Sequence, residues 1–152
     1  MEQDKRKARR NFLGAATGVA AAGALAAVPA QAATGKQKVA GGVRMGNLYY
    51  SSGLTGVRTE ARKDPHAFGG DIREQTDNVL KAHKSNLESL GSSLENVMKV
   101  TAFLADVKTQ KGAFNEVYDK YFPKDPPART ALGAIFPETQ TLVEIELVAW
   151  IP

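Results

Sequence analysis

The spacing of apolar and polar positions divides residues 38–152 into a regular series of elements. Leu48-Tyr49-Tyr50-Ser51-Ser52 follows the turn pair Gly46-Asn47, with Val39 and Val43 among glycines before it. This pattern predicts a β-hairpin. From Asp71 to Leu90, the residues Ile72, Thr76, Val79, Leu80, His83, Leu87 and Leu90 recur at helical spacing and form one face. Asp71 is placed to cap this helix with Glu74 at the third helical position, and Gly91 ends it. Asn96 to Ala105 reads as a buried strand. Gln110 to Phe122 reads as a second helix, striped by Phe114, Val117, Tyr118 and Tyr121 and stopped by Pro123. Short strands are expected from Ala128 to Ala134 and from Leu142 to Trp150. The order is ββαβαββ. Two helical stripes need one apolar surface to cover, so the expected class is α+β, a sheet with both helices on one face. The other face must meet water or another subunit. Gly53 to Gly70 is left as a long polar loop, a length often tied to function.

The last strand carries the most information about a site. Val143, Ile145, Leu147 and Ala149 fall on one face; Leu142, Glu144, Glu146, Val148 and Trp150 fall on the other. The first set suits the helices. The second is too apolar for a solvated face and too acidic for a core. A subunit interface with a polar pocket satisfies both. Arg129 complements it, in Pro126-Pro127-Ala128-Arg129-Thr130, a strand start built otherwise of small groups. A guanidinium with small neighbours leaves room for a ligand, and its planar fork fits a carboxylate. The spacing equally allows Arg129 to pair with Glu144 or Glu146 across the sheet. His83 on the apolar helical stripe is read as packing, as are Trp150 and the Tyr49-Tyr50 pair. Lys99 and Asn115 are read as structural. His66, in the loop beside Pro65, is read as solvated or touching ligand.

Composition narrows the chemistry. The 152 residues include no cysteine, which excludes disulfides and thiolate metal sites, and only two histidines, which argues against a multi-histidine centre. The formal charge is +4, but residues 1–32 account for +3 of it, leaving +1 for the rest. The domain therefore gives no electrostatic case for a nucleic-acid partner. Residues 1–32 have the plan of an export signal. Arg9-Arg10-Asn11-Phe12-Leu13 precedes a Gly/Ala-rich run to Val28, and Ala30-Gln31-Ala32 offers small residues at a cleavage site. The paired arginines resemble a twin-arginine signal, which implies a folded, periplasmic protein. The apolar stretch is shorter than the ~20 residues that span a bilayer, so no stable membrane insertion is expected after removal. Residues 33–37 are read as a short flexible start and 38–152 as the domain.

Five stretches together resemble the Rid (RidA, or YjgF) family of small enamine/imine deaminases. They are Gly46 to Gly53, Gly70-Asp71-Ile72 with Gln75-Thr76, and Val97 to Leu104. Phe114-Asn115-Glu116-Val117-Tyr118 with Tyr121-Phe122 follows, then Pro127-Ala128-Arg129-Thr130 with Val143-Glu144-Ile145-Glu146. The resemblance implies a chorismate-mutase-like fold and a homotrimer with clefts between subunits. It implies hydrolysis of a 2-imino or 2-enamino acid to a 2-oxo acid and ammonia, without metal or organic cofactor. Arg129 matches the family's carboxylate-binding arginine, Glu144 the glutamate that orients water, and Ser52 a pocket serine. Backbone groups near Ala131 could help hold that water. The alternative is a trimer that binds a small carboxylate, or unfolded protein, without turnover. The chain departs from many members in Lys38-Val39, which stands where they carry Pro-Tyr, in Ala131, where several have cysteine, and in the 53–70 loop.

Overall fold

The computed structural model describes residues 35–56 and 70–152. The predicted signal, residues 1–32, lies outside them, as do Arg58, Arg62, Lys63 and His66 of the long loop. Within them the chain forms strands β1 (Gln37–Val39), β2 (Gly42–Met45), β3 (Leu48–Ser51) and β4 (Leu54–Thr55), then helix α1 (Ile72–Ser89). A 3-10 turn at Leu94–Asn96 leads into β5 (Val97–Leu104), helix α2 (Val107–Tyr121), β6 (Ala128–Gly133) and β7 (Val143–Trp150). One mixed sheet results, in the order β1-β2-β3-β7-β5-β6, with β4 also paired to β7. Only β5 and β6 run parallel, and α2 makes the crossover between them.

The predicted hairpin is present. Met45 pairs with Leu48 across Gly46-Asn47, and Gly46 takes the left-handed backbone (φ 61°) that such a turn needs. The sheet also begins earlier than expected. Gln37, expected at the end of the flexible start, pairs with Arg44 as the first residue of β1, and Val39 packs against the core. Leu54 and Thr55, expected in a loop, pair with Ile145 and Glu144. Two residues are too short a run to show alternation, so the pattern carried no signal there.

Asp71 caps α1 as expected, accepting from the backbone N–H groups of Arg73 and Glu74. Helix α2 starts at Val107 rather than Gln110, because Asp106 accepts from Lys108 and Thr109 and so satisfies two orphan donors. In that first turn Val107 is the one apolar residue, packed against the core, while Lys108 and Thr109 are exposed, so there was too little of a stripe to mark it. Both helices pack on one face of the sheet and on each other. Between helices and sheet lie Val79, Leu80, Leu87, Phe114, Val100, Ala102, Ile145, Leu147 and Ala149, all buried.

Two polar side chains of α1 tie the helix to β7 and to the segment just before it. Gln75 is buried, donating from Nε2 to the Gln140 carbonyl (2.9 Å) and accepting at Oε1 from the Leu142 N–H (2.9 Å). His83 is fully buried, with Nε2 2.9 Å from the Ile145 carbonyl. A carbonyl can only accept, so Nε2 carries the proton and the ring is held in that tautomer. These bonds fix the backbone on both sides of Glu144.

Candidate functional site

Strand β7 alternates as its sequence predicts. Val143, Ile145, Leu147 and Ala149 are buried under the helices, while Glu144, Glu146, Val148 and Trp150 fall on the open face. Central β7 thus presents two carboxylates on a surface that also exposes Tyr50, Met98 and Trp150. Glu144 is half-buried; it pairs with Phe103 on β5 and with Thr55 on β4. Its carboxylate packs directly over Gly53. A Cβ at position 53 would overlap Oε1, so a glycine there makes space for the acid. Ser52 is exposed beside Gly53, its N–H donating to the Gly41 carbonyl (2.8 Å). Ser52 and Glu144 therefore belong to one neighbourhood, at the junction of β3, β4 and β7.

Two residues along β7, Glu146 borders a small pocket of about 180 Å³ with Tyr50, Ser51, Lys99, Thr101, Leu147 and Val148. Lys99, read as structural, lies on this face and donates to Thr130 Oγ1 (2.6 Å). Ser51 Oγ accepts from the Leu147 N–H (2.8 Å), which locks β3 against β7.

Arg129 lies elsewhere. It pairs with Val100 on β5, and Val100 pairs with Leu147, so Arg129 shares the helix-facing row. Its guanidinium carbon sits 4.4 Å from the ring centroid of Tyr118 and 5.5 Å from that of Phe114, both on α2. Ala131, two residues on, faces the same way and is half-buried. The pairing of Arg129 with Glu144 or Glu146 allowed by spacing is thereby overturned. The arginine and the two carboxylates emerge on opposite faces of one sheet, and no ion pair among the described residues joins them. Strand β6 is an edge strand, so Arg129 stands at the margin of the sheet rather than in its middle.

The alternation along β7 identified the open face, but two residues of α2 escaped notice. Tyr118 was only one member of the apolar stripe, yet it supplies the face on which Arg129 stacks. Asn115, read as structural, has a buried Oδ1 with no hydrogen-bond partner among the described residues, as do Tyr118 Oη and an Arg129 terminal nitrogen. Burial pushes the Tyr118 phenol up to about 12, the positive charge of Arg129 only partly opposing it, so the phenol stays neutral. No cluster of His, Cys, Asp or Glu able to hold a metal ion occurs among the described residues. Nor is any described helix long and apolar enough to cross a membrane.

Comparison with known proteins agrees with this architecture. The model of the family described as Endoribonuclease L-PSP matches residues 29–151. A RutC family protein of Pyrococcus abyssi is 34% identical over 108 residues, covering 71% of this chain and 82% of that protein. The chloroplastic Reactive Intermediate Deaminase A of Arabidopsis thaliana is 33% identical over 107 residues, 70% of this chain and 55% of that protein. Among solved structures, RidA from the Antarctic bacterium Psychrobacter superposes with a TM-score of 0.65 at 29% identity, covering 73% of this chain and 86% of that one. An extended family match, relatives above 30% identity and a shared sheet-and-helix topology converge: this chain belongs to the Endoribonuclease L-PSP family, which takes in the Rid, YjgF and RutC proteins.

Proposed function

We propose that this protein is an imine deaminase, hydrolysing 2-imino or 2-enamino acids to 2-oxo acids and ammonia. Arg129 holds the substrate carboxylate and Glu144 orients the attacking water, with Ser52 and the backbone near Ala131 lining the pocket. One observation carries the reading. The arginine and the glutamate lie on opposite faces of a single sheet, while the open face exposes apolar side chains that a neighbouring subunit would cover. A homotrimer supplies both needs, joining Glu144 of one subunit to Arg129 of the next in a cleft between them.

The chemistry asks little of the protein. An imine carbon is already electrophilic, so fixing the carboxylate and aiming a water give most of the acceleration. Glu144 beside that water also accepts its proton as the C–O bond forms. Glu144 returns that proton to the nitrogen, giving a carbinolamine; its hydroxyl then gives up the second water proton, which ends on the nitrogen as the C=O bond forms and the C–N bond breaks, releasing ammonia. No metal or organic cofactor enters this scheme.

In vitro, several 2-imino acids generated in situ provide the test. Glu144→Gln is expected to slow hydrolysis by about 10²-fold or more with ligand affinity near normal, and Arg129→Ala to lose both. Equal loss of turnover and affinity in Glu144→Gln overturns the division of roles. A monomeric mass by sedimentation at micromolar concentration overturns the shared cleft. A trimer that binds 2-oxo acids but never accelerates hydrolysis would favour the binding role. We further propose that residues 1–32 direct export through a twin-arginine route to the periplasm. Replacing Arg9 and Arg10 by lysine is expected to retain the protein in the cytoplasm; unchanged export refutes this.

A further inference from the structure

We propose that Tyr118, backed by Phe114, is a positioning residue that stacks on the Arg129 guanidinium and fixes the single edge it offers to a ligand carboxylate. The inference rests on Arg129 being the carboxylate anchor, and its test separates the two.

A long arginine side chain at a sheet edge is usually held by an acidic partner. Here no ion pair among the described residues involves Arg129. Its neighbours in the helix-facing row, Val100 and Ala131, are small and apolar. What holds the group is aromatic: Tyr118 at 4.4 Å and Phe114 at 5.5 Å. Both rings are themselves fixed, Phe114 fully buried and Tyr118 2% exposed. They belong to a row in which Tyr118 also packs on Phe122, with ring centroids 4.6 Å apart. A ring face attracts a guanidinium without using its N–H groups, which all point in the guanidinium plane. The stack therefore orders the side chain and leaves its donors free. One terminal nitrogen is buried without a partner, the state of a donor that awaits an acceptor. An arginine paired beforehand with an acid would have to break that bond to take a substrate; a stacked one does not.

The Tyr118 hydroxyl has no part in this. Its oxygen is buried and unpartnered among the described residues, so the ring face rather than the phenol acts on Arg129. Phenylalanine at 118 preserves that face, and leucine removes it.

Calorimetric binding of pyruvate, a stable 2-oxo acid, to the full chain reads the effect, with neutral pyruvamide as control. Tyr118→Leu is expected to weaken pyruvate about tenfold, and Tyr118→Phe to stay within about twofold of the unchanged protein. Pyruvamide should distinguish neither variant. Phe114→Leu, at the longer distance, should weaken pyruvate about threefold and serves if Tyr118→Leu does not fold. Unchanged pyruvate affinity in both leucine variants overturns the proposal, as does a loss in Tyr118→Phe equal to that in Tyr118→Leu. Pyruvate binding that survives Arg129→Ala, or is absent from the unchanged protein, overturns the anchor reading instead.

Discussion

The two faces of the sheet are built from the same strands but obey different rules. Under the helices, Val143, Ile145, Leu147 and Ala149 of β7 are at most 2% exposed, and their neighbours are chosen by size and shape. On the other side Tyr50, Met98 and Trp150 are each close to half exposed, interleaved with Glu144, Glu146 and Lys99. A folded monomer needs only the first face. The second has apolar area beyond what solvation favours and charges beyond what burial tolerates, and the proposed shared cleft rests on that mixture. Stability is concentrated on one face; the proposed chemistry falls on the other and at its margins.

Substitutions on the two faces should therefore separate. Leu80→Ala, in the fully buried layer, is expected to cost about 3 kcal/mol, read by urea denaturation; a cost below about 1 kcal/mol would deny that the helix-covered face carries stability. His83 gives that face an acid sensitivity. Burial lowers its pKa to about 4, the bond to the Ile145 carbonyl only partly opposing this. The unfolded chain then binds more protons between about pH 6.5 and 4, so stability is complete above that window and falls as pH drops through it. The loss approaches about 3 kcal/mol near pH 4. His83→Gln should flatten the profile in stability curves measured at pH 7, 6 and 5.

Gly53→Ala probes the other side. The added methyl must displace the Glu144 carboxylate, so imine hydrolysis is expected to fall at least about tenfold. The melting temperature should move by only a few degrees, since the site lies outside the core. Trp150→Glu should change the stability of an isolated subunit by less than about 0.5 kcal/mol yet lower the sedimenting mass. Unchanged mass would show that the open face is not covered where Trp150 stands. The smallest effect belongs to the exposed Arg73–Glu116 pair joining α1 to α2 at 2.8 Å. Arg73→Ala should leave stability nearly unchanged, and any difference should shrink further in high salt.

Much of this was legible in the chain. The stripes of α1 and α2, the alternation in β7 and the Gly46-Asn47 turn are each local periodicities that need no knowledge of distant residues. Asp71 and Gly91 mark helix ends by chemistry within a single turn. Strands β1 and β4 were missed because they are short and owe their existence to partners, Arg44 and Val43 for one, Ile145 and Glu144 for the other. The beginning of α2 was missed because Val107 alone is apolar in its first turn, and the Asp106 cap rather than an apolar stripe defines it.

The candidate site divides in the same way. The residue types were readable: an arginine among small neighbours, and glutamates alternating with apolar side chains. Their relation was not. Spacing allowed Arg129 to pair with Glu144, and only the parallel register of β6 on β5 put the arginine on the helix-facing side. That register comes from the α2 crossover and from the packing of the whole layer. By itself the sequence determined which positions turn inward along each element, because side-chain direction follows backbone periodicity. Only the tertiary structure decided which faces and edges meet, and hence that Tyr118 stacks on Arg129 while Gly53 makes room for Glu144. Those contacts join residues far apart in the chain, and their geometry is set by packing the layers together rather than by any local preference.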